Sequence, residues 1–329
     1  MTKHGTTRHG SLQFYPRVRA KEFLPSVNWS SILSKKETGI LGFIGYKVGM
    51  MSAFVKDNSP GSMTKGKRVI VPVTLLECPT IKILSIRFYK DKKSLGEVMN
   101  NVLDKELKRK IKLPKNNASP SHDGGHKKKV EDFKEGSYDD IKVIIYSEVK
   151  KTGVKKAPDI VEVGISGELN QKLEFAKAHF NKEISIKDFI KEGIVDIRGV
   201  TKGKGLQGTV KRFGLTLKAH KSEKGVRTLG SGGAWHPSRV DYTQPRAGQM
   251  GFFTRVVYNN KIVHIGSISE KDINPVQGFN GFGKIKSDYI IVQGSVQGPS
   301  RRQLLITMPL RPSKKQFKKN YEFIELRWK

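Results

Sequence analysis

The segment 198–221 reads RGVTKGKGLQGTVKRFGLTLKAHK and holds seven Lys or Arg and five Gly without one acid. Glycines let a backbone approach an oxyanion closely and expose its amides, while Lys202, Lys204, Lys211, Arg212, Lys218 and Lys221 supply compensating charge. That is chemistry for holding phosphate; a solvated glycine-rich loop with incidental lysines is the plainer alternative. Downstream, GSGGAWHPSRV (230–240) sets Trp235 and His236 behind three glycines, with Leu229 and Ala234 as the only apolar companions between residues 228 and 239. A tryptophan is more often a core residue than a ligand-facing one. A loop that cannot bury its own indole can, however, lend it to a partner. Such an indole stacks on an unpaired base while Arg227, Arg239 and Arg246 grip phosphates, a combination suited to irregular RNA.

Other chemistries find less support. GSMTKGKR (61–68) has the spacing of a nucleotide-binding loop up to Lys67, but Arg68 stands where Ser or Thr should hold magnesium. It reads as a basic hairpin tip presenting Lys65, Lys67 and Arg68. His122 and His126 have i, i+4 spacing, yet Asp-Gly-Gly between them breaks a helical metal face. His4, His9 and His220 sit in polar, basic surroundings, His179 near a helix end and His264 within a strand pattern. No G-x-S-x-G surrounds Ser231, and no G-x-G-x-x-G leads from a strand into a helix. The lone Cys78 can form neither an intrachain disulfide nor a four-thiolate zinc site. The expectation is a chain with no catalytic residues, no metal and no cofactor, in a reducing, intracellular setting. An RNA-modifying enzyme built on Cys78, Asp196 or Asp241 and a free architectural nucleic-acid protein are the rival readings.

The composition agrees with a polyanion as partner. In 329 residues, 62 Lys plus Arg face 30 Asp plus Glu, a formal charge of +32. A chain so charged repels itself and gains from an anionic partner. A membrane surface would call for an apolar span of about 18 residues or a basic amphipathic helix. The longest apolar runs, such as VIVPVTLL (69–76), are strand-sized and interrupted by Pro72, and the N-terminus has no apolar signal region.

The elements that must position these residues are mainly strands. Residues 1–38 show no sustained period and carry Arg8, His9, Arg17, Arg19 and Lys21 ahead of the first acid, Glu22, as an extended arm would. ILGFIGYKV, KRVIVPVTLLE and IKILSIRFY then read as strands, and so do IKVIIYSEV, IVDIRGV, FFTRVVY, KIVHIGS, SDYIIVQG and RQLLITM, while DIVEVGI is a short apolar stretch after a Lys-rich linker. Ser94 with Glu97 forms a capping-box signature, and Leu95, Val98, Met99, Val102, Leu103 and Leu107 predict a helix over 95–111. Leu169, Leu173, Ala176 and Phe180 mark a second helix, and Ser185 with Asp188 caps a short third. The expected organisation is an arm (1–38), a β-barrel core (39–91 and 194–310) and an α/β inserted subdomain (92–193). A finger loop (213–258) is set into the core, and a basic C-terminal segment (311–329) follows.

RHGSLQFYPRVRA (8–20), FIGYKVGMMSAFVKD (43–57), GVTKGKGLQGTVKRFG (199–214) and GAWHPSRVDYTQPRAGQMG (233–251) together resemble the L-three family of large-subunit ribosomal proteins in its archaeal form. SDYIIVQGSVQGPSRRQLLI (287–306), with Arg301 and Arg302 in its basic turn, agrees with it. The resemblance implies a mainly β fold, in which a translation-factor-type barrel carries the inserted subdomain. It also implies two extensions threaded through rRNA toward the peptidyl transferase centre, with Trp235 at the tip of the second. The implied partners are large-subunit rRNA and the L-fourteen and archaeal L-twenty-four-e proteins. The implied location is the large subunit in the cytoplasm, with no catalysis of the chain's own.

Overall fold

The computed structural model describes residues 10–32, 38–113, 130–133, 136–190, 193–221, 224–230, 232, 234–236 and 238–327. Arg8, His9, His4, His122 and His126 lie outside the described residues. The chain divides into two compact units, one of residues 1–22 and 200–255, the other of 23–199 and 256–329.

The larger unit is mainly β. The strands leading into it are β1 (Gly39–Ile40), β2 (Gly42–Asp57), β3 (Arg68–Cys78), β4 (Ile81–Lys90) and β5 (Lys93–Met99). Then come β6 (Asp140–Ser147), the single turn α1 (Val149–Thr152), β7 (Ile160–Ser166), α2 (Leu169–His179), α3 (Ile186–Phe189) and β8 (Ile194–Val200). In the smaller unit, β9 (Gly203–Gln207), α4 (Thr209–Phe213) and β10 (Gly248–Gly251) follow. The chain returns through β11 (Thr254–Ser267) to β12 (Asp288–Gln293), β13 (Gln303–Thr307), α5 (Lys314–Lys318) and β14 (Tyr321–Arg327).

Seven strands form one sheet in the order β13-β8-β11-β12-β3-β2-β14, and β13 pairs with β2 as well as with β8. The pairing therefore returns to the strand from which it started. A second, five-stranded sheet runs β1-β7-β6-β4-β5. IKILSIRFY, expected with the first sheet, belongs to this second one, where β4 lies antiparallel between β5 and β6. One contiguous core serves both sheets: Phe43, Ile44, Leu75 and Leu76 from the first are fully buried in it with Ile83, Ile86, Phe88 and Ile141 from the second. Tyr46 ties the sheets through polar bonds, donating to Asp159 (2.6 Å) beside Ser147 (2.7 Å).

The helix expected over 95–111 is not there. Residues 93–99 are β5, paired to β4 with Val98 opposite Ile86 and Glu97 opposite Arg87. Glu97, read as a capping residue, instead accepts from Ser85 (2.6 Å) and Arg87 (2.8 Å) across the ladder. Leu95, Met99 and Val102 are exposed, so three of the residues that made the helical period bury little. Leu107 sits in a 3-10 turn (Lys105–Arg109) and packs with Leu84 and Tyr146 in a small second cluster. The two-residue turn at Asp91–Lys92, with positive φ at both residues, folds this run back onto β4, and the cross-strand partners it finds there override the helical period. The other two predicted helices are present as α2 and α3, and the box between Ser185 and Asp188 is formed in both directions.

The expected arm is shared between the units. From Phe23 onward it joins the larger one, where Leu24, Trp29 and Ile32 enter the core. A Cβ at Gly42 or Gly164 would come within 2.8 Å or 2.7 Å of Trp29, so both glycines let the indole lie against the strands.

Candidate nucleic-acid interface

The smaller unit is a hairpin whose base is the antiparallel pair β9–β10, with Gly248 opposite Gln207 and Gly251 opposite Gly203. The base is tight because Gly251 has φ +71° and a Cβ there would stand 2.0 Å from the Lys202 carbonyl oxygen. Between the strands, α4 ends on Gly214 at φ +63°, and Phe213 is buried beneath it. Beyond α4 the described backbone is held by local bonds: Lys218 N–H to Val226 O (3.0 Å), Ser238 N–H to Trp235 O (2.9 Å) and Gln244 N–H to Asp241 O (3.1 Å). Gln244 Nε2 also donates to Gly232 O at 2.9 Å, bracing the loop that carries the tryptophan. Trp235 is 85% exposed, so the unburied indole expected from the sequence is observed.

The arm lies on this base. Ala20 N–H donates to Phe252 O (2.8 Å), Thr201 N–H to Phe253 O (3.0 Å) and Phe252 N–H to Lys202 O (3.2 Å). Guanidinium groups stack on rings around these bonds. Arg17 lies 4.5 Å from the Phe213 centroid, Arg19 5.7 Å from Phe252, and Arg255 4.3 Å from Phe14 and 5.1 Å from Phe253. Arg255, Phe14 and Tyr15 were missed in the sequence reading; aromatic residues alternating with arginine at 14–19 and 252–255 were the available signal.

The expected phosphate-facing residues fall into three groups. In the smaller unit Arg19, Lys21, Lys202, Lys204, Lys211, Lys221, Arg227, His236, Arg239 and Arg246 are exposed, and Arg17, Arg212 and Lys218 are half-buried. In the larger unit Lys65 and Lys67 are exposed on the turn between β2 and β3, as the hairpin-tip reading requires. Asp57 organises that turn: Ser59, Ser62 and Thr64 donate to it and hold its carboxyl well below the usual range. Arg68, by contrast, is committed within the protein, paired with Glu325 and 3.9 Å from the Phe54 centroid. The third group is the turn before β13, where Arg301 (φ +64°) donates to Phe282 O (3.0 Å) and Arg302 lies 4.8 Å from the Phe23 ring. Buried Lys47 pins this turn through the carbonyls of Val296 and Gly298.

The residues weighed as catalytic are structural. Cys78 is buried in β3, where burial pushes its thiol up. Asp196 is buried and accepts from Asn259 N–H (2.7 Å) and Leu310 N–H (3.0 Å). Asp241 serves Thr243. His264 is stacked on Phe323 at 5.0 Å, and burial lowers its pKa. His179 bonds Phe175 O at 3.0 Å. Among the described residues no group of three or more His, Cys, Asp or Glu could hold a metal ion, and no helix is long and apolar enough to cross a membrane.

The profile of the ribosomal protein L3 family matches residues 1–329. The large ribosomal subunit protein uL3 of Methanobrevibacter smithii is 42% identical over 96% of this chain and 95% of its own length. Those of Methanocaldococcus jannaschii (39%, over 93% of this chain and 91% of its own) and Archaeoglobus fulgidus (38%, over 96% and 95%) are similar to it in the same way. With a family match over the whole chain and archaeal relatives aligned over nearly all of it, the chain belongs to the ribosomal protein L3 family.

Proposed function

We propose that this chain, a structural and non-catalytic constituent of the large ribosomal subunit, binds rRNA chiefly through its smaller unit. In this reading the arm and the finger (213–258) enter the rRNA, and Trp235 is carried toward the peptidyl transferase centre. The observation that carries it is the indole, exposed on a glycine-framed loop in a unit whose cations far outnumber its acids. Lysines and arginines neutralise crowded phosphates so that RNA helices can pack, while glycines and rings fit the irregular gaps between them.

The finer organisation follows the same reading. The strand path that closes through β13 is taken as a translation-factor-type barrel, with β4 and residues 92–193 as an insert; of the basic C-terminal segment (311–329), β14 extends the barrel's sheet beside β2. Lys65, Lys67, Arg301 and Arg302 give the larger unit its own rRNA contacts, and the L-fourteen and L-twenty-four-e proteins are its neighbours. Peptide-bond formation stays with the RNA, and Trp235 acts on its conformation from the tip.

The test is a Trp235→Ala subunit. Its large subunits are expected to retain the chain one-to-one through a high-salt gradient but to accommodate aminoacyl-tRNA more slowly. Wild-type accommodation would remove the tip from the mechanism, and release of the chain to the top of the gradient would remove the structural role.

A further inference from the structure

Arg17 from the arm and Arg212 from α4 share one ring, their Cζ atoms lying 4.5 Å and 5.1 Å from the Phe213 centroid. Each guanidinium is seated against a glycine. A Cβ at Gly10 would stand 2.1 Å from Arg17 Nη2, and one at Gly248 would stand 2.9 Å from Arg212 Nη1. Arg212 gives Nε to Gln249 O (3.1 Å) and Nη1 to Arg246 O (2.9 Å), which fixes it in the hairpin base. Arg17 is half-buried, 5.3 Å from the Tyr15 ring, and donates to no acceptor among the described residues. Beside it the Tyr15 hydroxyl is shielded from solvent and has no hydrogen-bond partner among the described residues.

This arrangement is costly in the isolated protein. Burial, and then the charge of Arg17, lower the pKa of Arg212. Every ion pair between described residues lies in the other unit, so none relieves this repulsion. A shielded hydroxyl without a partner is unfavourable as well. Guanidinium faces laid on a ring leave their edges for the forked bonds that phosphate oxygens accept.

We propose that Arg17, Arg212 and Tyr15 form a socket for one backbone phosphate of RNA, and that this phosphate fastens the arm to the base of the finger. The proposal rests on the RNA-binding reading above and adds to it a defined anion site with a neutral donor. The phosphate offsets the repulsion between the two arginines and accepts from the tyrosine. Reaching Tyr15 Oη requires a side-chain movement, and Tyr242, 79% exposed and edge-on to Tyr15 at 5.9 Å, is the neighbour placed to make it.

The test measures affinity of the full chain for deproteinised large-subunit rRNA across a range of salt concentrations. Arg17→Gln is expected to weaken binding about tenfold and to reduce the salt slope by about one counterion. Arg17→Lys keeps the slope but stays several-fold weaker, because an ammonium neither stacks on Phe213 nor forks. Tyr15→Phe is the sharpest variant: it weakens RNA binding about fivefold at unchanged slope, while the free protein melts no lower than wild type because an unsatisfied hydroxyl has been removed. Wild-type affinity in Tyr15→Phe, or wild-type affinity and slope in Arg17→Gln, would overturn the socket. Failure of the wild-type chain itself to prefer rRNA over an unrelated RNA would instead sink the reading on which the socket rests.

Discussion

The two units of this chain are held together in opposite ways. The smaller carries sixteen Lys or Arg against three acids, and among its described residues only Val200 and Phe213 are buried apolar side chains. The larger contains an extended core and every ion pair found between described residues. One unit closes by removing apolar surface from water; the other by laying guanidinium groups on rings and leaving its charge for a partner to neutralise. A fold that must enter a polyanion can forgo a core, because the partner supplies the missing contacts.

The largest effect is expected from opening the core of the larger unit. Leu75 in β3 is fully buried in the core, so Leu75→Ala is expected to cost about 2–5 kcal/mol in a denaturant melt. A loss under 1 kcal/mol would mean that the core is not what holds the larger unit.

Acid should act on the larger unit next. Around Glu148, burial opposes ionisation, but hydrogen bonds from Lys151 (2.6 Å), Lys82 (2.5 Å) and Thr80 (2.6 Å) outweigh it and hold the carboxyl at about 2. A carboxyl lowered in the folded state contributes stability above its ordinary pKa of 4.5 and loses it as pH falls toward 2. Wild type should therefore lose more stability than Glu148→Gln between pH 5 and about 2.5, by on the order of 1–2 kcal/mol for this partly screened network. Parallel pH profiles would count against the network.

The smallest effect is expected at the tip. Trp235→Ala should change the stability of the free protein by less than about 0.5 kcal/mol, since an exposed indole supports no packing. A larger loss would show that the indole has a home within the chain and is not presented outward.

Much of the larger unit was legible because its strands are β-branched and their ends are marked by turns. VIVPVTLL and IVDIRGV could hardly be anything else, and each is a strand. The Asp57 turn was legible as a basic hairpin tip, though not the commitment of Arg68 to Glu325. The run after Ser94 misled because an apolar period and a capping pair outweighed the turn at Asp91–Lys92, which has positive φ at both residues yet no Gly or Asn to mark it, and which folds β5 back onto β4. In the smaller unit the glycines, cations and unburied indole were readable, whereas the joining of arm and finger was not.

The sequence alone determined the charge, the β-rich class, the exposed Trp235 and the family. These follow from residue types and their order, which need no knowledge of what meets what. Only the tertiary structure decided that Arg17 and Arg212 share the Phe213 ring, that Gly10 and Gly248 make room for them, and that Tyr15 keeps a hydroxyl without a partner among the described residues. Those contacts join residues far apart in the chain, and pairing across such a separation leaves no periodicity in either segment from which it could be read.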